Sequence, residues 1–143
     1  MYNLVDQALT DIGKNINKAK VSILGLSFKQ STGDIRYTPT KPLIEMLAAS
    51  GAQVKVMDPW VNREETRVIA GRYIVDTLDE ALNGTDCIVL MTAHPEFRKI
   101  SFNKIRSLVS TPCAVVDGRR AFDFKKVVSA GFTYWAVGLG KKS

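Results

Sequence analysis

Three stretches of this chain, Val21–Leu26, Cys87–Met91 and Ala114–Val116, are short and almost unbroken runs of apolar residues. They lack the apolar–polar alternation of a strand with one wet face. Such runs suit strands of a parallel sheet covered on both sides. Between them stand segments with helical spacing, such as Leu43, Ile44, Leu47 and Ala48, then Phe102 to about Leu108 and Phe124 to about Ala130. Glycine stops follow at Ser50-Gly51, Asn83-Gly84 and Gly131. Gln53–Met57, Tyr73–Val75 and Tyr134–Val137 read as further strands, and Asn62 to about Ala70 as a charged helix closed by Gly71. Thr77 with Glu80 three residues on marks a capped helix start, and Thr38 or Thr40 serves the helix that holds Pro42 in its first turn. The alternation predicts an α/β fold: a three-layer, Rossmann-like, doubly wound and mainly parallel sheet of about five to six strands with right-handed crossovers. One helix precedes it, from Tyr2 to about Ile16, with Leu4, Val5, Ala8, Leu9 and Ile12 on one face and a stop at Gly13-Lys14.

In such folds ligands sit at the carboxyl ends of the strands. The first apolar run passes straight into Ser27-Phe28-Lys29 and then Thr32-Gly33-Asp34-Ile35-Arg36, a polar loop with two cations. Lys29, Arg36 and the loop's backbone N–H groups suit phosphate oxygens. A second strand end of this kind reads Asp117-Gly118-Arg119-Arg120. Arg119 there either aims its fork at phosphate or pairs with Asp117. Two strand ends bearing Lys and Arg suggest one anionic ligand gripped from two sides. Phe28 is either a core plug or a stacking surface. Gly25 lets the backbone pass close to a neighbouring element, and Gly118 permits a tight turn. Asp58 ends a strand where dinucleotide folds place a ribose-binding acid, but Asp58-Pro59 is equally a turn device. The glycine fingerprints of dinucleotide and P-loop sites are missing, as is any pairing of nucleophile with base. No catalytic residue is therefore assigned.

With 143 residues, 45% of them hydrophobic and 24% charged, the chain is an ordinary globular domain with a net charge of +6. That charge favours an anionic partner. Its Lys and Arg are scattered and its aromatics occupy core-like positions, which argues against nucleic acid. No run is long enough to span a membrane, and Met1 to Asp6 does not open a signal peptide, so a cytoplasmic location is expected. Cys87 and Cys113 each start an apolar strand and read as inert core thiols. His94 has no Cys or His companion, so no metal site is expected.

Taken together, Ile23-Leu24-Gly25-Leu26-Ser27-Phe28-Lys29, Thr32-Gly33-Asp34-Ile35-Arg36, Gly51-Ala52, Val56-Met57-Asp58-Pro59 and Asp117-Gly118-Arg119 resemble the C-terminal, UDP-binding domain of the UDP-glucose/GDP-mannose dehydrogenase family. They recur in the family's order and spacing, and the resemblance covers essentially the whole chain. It implies that residues 1–18 are the end of a central connecting helix and residues 19–143 the UDP-binding α/β domain. The family's enzymes oxidise C6 of a nucleotide sugar from alcohol to carboxylate, reducing NAD at a site shared with an N-terminal NAD-binding domain. The resemblance implies UDP-sugar contacts at Phe28, Lys29 and Arg119, and NAD close to Arg36. The family's glycine fingerprint and catalytic cysteine segment have no match here, and Cys87 and Cys113 do not take that role. An isolated chain without turnover, acting as part of a homo-oligomeric enzyme, is the resulting expectation. The alternative is a free-standing nucleotide-binding or regulatory module. Tyr37-Thr38-Pro39 stands where many members carry Glu-Ser-Pro.

Overall fold

The computed structural model describes residues 1–27, 32–33, 35 and 38–143, Val68 by its backbone only. Strands β1 (Lys20–Leu24), β2 (Gln53–Met57), β3 (Cys87–Leu90), β4 (Ala114–Asp117), β5 (Thr133–Ala136) and β6 (Gly140–Lys142) form one sheet in the order β2-β1-β3-β4-β5-β6. All pairings are parallel except β5 with β6. The inner strands β3 and β4 are buried along their whole length, whereas the edge strand β2 alternates. The unbroken apolar runs thus mark strands with helices on both faces.

Period-two alternation along the strands deals their side chains into two cores. Val21, Ile23, Val89 and Val116 face α1 (Tyr2–Asp11) and α2 (Thr40–Ala49), which contribute Val5, Leu9, Ile44 and Leu47. Ile88, Leu90, Val115 and Tyr134 face the opposite layer, built by α4 (Leu78–Leu82), α5 (Pro95–Arg98), α6 (Phe102–Ile105) and α7 (Phe124–Ser129). The short helix α3 (Arg63–Ile69) links β2 to this second layer. Helix α1 lies against β3, β4 and β5 on the side that the later crossovers leave open. Among the described residues, no helix is long and apolar enough to cross a membrane.

Some local expectations shift. Tyr73–Val75 is not a strand: a 3₁₀ turn at Gly71–Tyr73 takes up the residues, and only Ile74 bridges to Val56. The hairpin through β6 and the short helix α5 were not expected. Gly138 and Gly140 adopt positive φ (78° and 69°), which turns the chain back and makes the basic tail an antiparallel edge. Lys141 pairs with Asp11 at 2.9 Å. Thr77 caps α4 as expected, accepting from the Glu80 N–H at 3.1 Å. Pro39, not a threonine, holds the N-cap position of α2. Thr38 accepts from the Thr40 N–H at 3.2 Å, and Thr40 Oγ1 donates to the Gly25 carbonyl at 3.0 Å.

Candidate functional site

After β1 the chain crosses to the face of α2; after β3 it crosses to the face of α5. The strand order therefore reverses between β1 and β3, and their carboxyl ends open a crevice where doubly wound folds hold ligands. Gly25 lines this seam. Its φ is +107°, and a Cβ there would stand 2.4 Å from the Thr92 nitrogen. The segment after β3 presses this closely because the Met91 N–H donates to the Leu24 carbonyl (2.8 Å) and Thr92 Oγ1 donates to the Ser27 carbonyl (2.7 Å).

Asp58, at the end of β2, closes the same seam from the other side. Its Oδ2 accepts from the Leu26 N–H at 2.7 Å, from the Ser27 N–H at 2.9 Å and from His94 Nε2 at 3.0 Å. Its Oδ1 accepts from the Trp60 N–H at 2.8 Å. Both side chains of the Asp58–His94 pair are 0% exposed. Burial works against the carboxylate's charge, yet the bonds from His94, Ser27, Leu26 and Trp60 outweigh it and hold the carboxyl below its ordinary value. His94 Nε2 also lies 2.9 Å from Ser27 Oγ. Hydroxyl and carboxylate therefore address one ring nitrogen. That is a clasp, not a relay in which a base activates the hydroxyl through its second nitrogen. The indole of Trp60, 44% exposed, covers the imidazole at 5.9 Å and is tied to Glu96 by its Nε1–H at 3.1 Å.

A second carboxylate organises the end of β4. Asp117, 0% exposed, accepts from the Arg119 N–H (3.1 Å), the Phe122 N–H (2.8 Å) and the Tyr134 hydroxyl (2.7 Å). Burial and this bond push the Tyr134 hydroxyl well above its ordinary pKa, so it stays a donor. Arg119 meets Asp117 through its backbone; its guanidinium Nε donates to the Met91 carbonyl at 2.7 Å. Gly118 is needed less for a turn than for close approach, since a Cβ there would stand 2.6 Å from the Leu90 carbonyl oxygen. The left-handed residue of this turn is Arg120, at φ 51°.

Of the residues singled out in the sequence, Arg119 stands on this carboxyl edge; Phe28, Lys29 and Arg36 lie outside the described residues. Asp58 is confirmed as a turn-former, but its other oxygen does more: it clamps the first loop. A ribose-binding role does not fit a carboxylate that is 0% exposed and already engaged by four donors. Ser27, His94 and Trp60 were missed. The one available signal was that all three come within four residues after a strand end.

Cys87 packs towards α1 and Cys113 towards the opposite core, with the sheet between them. Burial raises both thiols, that of Cys113 up to about 12. Among the described residues, no group of three or more His, Cys, Asp or Glu could hold a metal. A hollow of about 760 Å³ between α6 and α7 has an apolar floor of Ile100, Phe102 and Phe122, and its polar lining residues, such as Lys99, Lys125 and Lys126, are all exposed. Its lining includes no residue of the β1 loop or of the Asp58–Trp60 turn.

Residues 22–124 match the model of the UDP-glucose/GDP-mannose dehydrogenase family, UDP binding domain. The chain is 32% identical over 138 residues to UDP-glucose 6-dehydrogenase TuaD of Bacillus subtilis, covering 95% of this chain and 29% of that protein. It is 33% identical over 142 residues to UDP-N-acetyl-D-mannosamine dehydrogenase of Methanococcus maripaludis, covering 94% and 31%. Its fold superposes on NDP-N-acetyl-D-galactosaminuronic acid dehydrogenase from Methanosarcina mazei with a TM-score of 0.88 at 28% identity, covering 97% of this chain and 28% of that one. The chain thus spans about three-tenths of the length of the curated relatives it matches. With the strand order, the crevice and the family match in agreement, the chain belongs to the UDP-glucose/GDP-mannose dehydrogenase family and corresponds to its UDP binding domain.

Proposed function

We propose that this chain binds the UDP part of a UDP-sugar at the carboxyl edge of its sheet and supplies half of the active site of an NAD-dependent nucleotide-sugar 6-dehydrogenase. The observation that carries this reading is the convergence of two braced strand ends on one crevice. The β1 loop is clamped by Asp58, and Arg119 is held against the Met91 carbonyl. The relatives support it further: two of them are named for UDP-glucose and UDP-N-acetyl-D-mannosamine, which share the UDP moiety and differ in the sugar. What a domain common to both would recognise is the nucleotide.

In this reading Lys29 and Arg119 neutralise the diphosphate from two sides, and Phe28 contacts the UDP-sugar. Arg36 lies close to NAD, which is held mainly by an N-terminal domain outside this chain. Residues 1–18 end the connecting helix and residues 19–143 form the UDP-binding unit. The full enzyme oxidises the C6 alcohol to a carboxylate in the cytoplasm, as a homo-oligomer; the isolated chain binds without turnover. Calorimetric titration of the chain with UDP tests the site. Lys29→Ala and Arg119→Ala are each expected to weaken binding about tenfold, the loss of one charge-assisted contact. Unchanged affinity in both variants contradicts the reading.

A further inference from the structure

The segment Met91–His94, which follows β3, touches both arms of the crevice. Its Met91 carbonyl receives Arg119 Nε at 2.7 Å, and its His94 reaches Asp58 and Ser27 at 3.0 and 2.9 Å. Ser27 is the last residue before Phe28-Lys29. One rigid segment therefore references the β1 loop and the β4 turn to each other.

We infer that His94 is a positioning residue: through Asp58 and Ser27 it locks the β1 loop at a set distance from Arg119. This rests on the carboxyl edge being the UDP site. An ionised carboxylate only accepts, so Nε2 carries the proton and lies between the Asp58 carboxylate and the Ser27 hydroxyl. The ring itself has no freedom. Trp60 stacks on it with planes 21° apart, and Phe97 lies 5.7 Å away, tilted by 53°. A histidine that merely filled a core would be satisfied locally; this one ties positions 36 and 67 residues distant in the chain. Its bonds join the ends of three strands at the one place where the strand order reverses. Sites held to within fractions of an ångström are built in this way, with the contacting groups braced by residues that never touch the ligand.

The test uses the 143-residue chain labelled with ¹⁵N. His94→Phe keeps the ring's bulk and removes the N–H; His94→Gln returns an amide nitrogen near the place of Nε2. Amide exchange at Leu26 and Ser27 is expected to quicken at least tenfold in His94→Phe, with Val89 and Val116 unaffected, and to recover most of the way in His94→Gln. UDP affinity is expected to fall about tenfold in His94→Phe and no further in His94→Phe combined with Lys29→Ala, because both act through one loop. If His94→Phe does not fold, Ser27→Ala is read in the same way, with about a threefold effect. Unchanged protection at Leu26 and Ser27, or a uniform gain of exchange across the sheet, overturns the inference. Absence of UDP binding in the unsubstituted chain overturns the ligand reading instead; amide exchange still decides whether His94 holds the loop.

Discussion

Gly25→Ala is expected to destabilise the domain by about 4 kcal/mol, the sum of a strained left-handed residue and an overpacked contact. The φ of +107° already disfavours any side chain, and the Cβ would stand 2.4 Å from the Thr92 nitrogen and 2.5 Å from the Thr92 Cβ. Neither wall can retreat. The Gly25 N–H donates to the Met57 carbonyl at 2.9 Å, and Met91 and Thr92 are bonded back to Leu24 at 2.8 and 3.3 Å. In a domain of this size the expected fall in Tm is about 10–15 °C. Gly13→Ala is the control. Its φ is +77°, but nothing lies within 4 Å of the added carbon, so about 1 kcal/mol is expected. Urea denaturation of both variants measures the difference; equal losses would show that the seam between β1 and β3 is looser than described.

Asp58→Ala carries the next largest effect, about 3 kcal/mol, because it strips the acceptor from buried donors instead of removing a whole pair. The N–H groups of Leu26, Ser27 and Trp60 lose this acceptor at once, and the buried imidazole loses the carboxylate while keeping the Ser27 hydroxyl. Asp58→Asn keeps one carbonyl oxygen and is expected to lose about half as much. The effect depends on pH with a definite sign. The folded carboxyl lies below its ordinary 3.8, so its stabilisation is present above that value and is lost as pH falls through the folded pKa. Asp86, also lowered, keeps part of the acid sensitivity in the variant: burial opposes its charge, and Lys14 and the Lys20 N–H outweigh that. The gap in urea midpoint between the unsubstituted chain and Asp58→Ala should therefore be wide at pH 7 and begin to narrow only below 3.8, closing as pH falls through the folded pKa. A gap that stays constant, or one under about 1 kcal/mol at pH 7, contradicts the clamp.

Much of the architecture could be read from residue order because parallel strands buried on both faces need unbroken apolar runs. Ile88-Val89-Leu90 and Val115-Val116 have no other stable use. Short elements were harder. Tyr73–Val75 has strand-like residues, yet the turn before it leaves only Ile74 to pair. The strand at Gly140–Lys142 carries no apolar signal at all; it exists because two glycines fold the tail back onto β5. At the site, Arg119 could be found from its place after a strand, since charge at a strand end is a local pattern. The Ser27–His94–Asp58 cluster could not. Its members are far apart in the chain, and only the reversal of strand order brings them together.

The central claim, that UDP is held at the carboxyl edge between the β1 loop and the β4 turn, is tested most directly by mapping amide shifts of the labelled chain on titration with UDP, with GDP and ADP in parallel. The expected result is a UDP-selective set of shifts at Leu26, Ser27, Met91–His94 and Asp117–Arg119, with Lys20, Gln53 and Ala114 at the opposite end of the strands unmoved. Shifts centred on the hollow between α6 and α7, or equal responses to all three nucleotides, would contradict it.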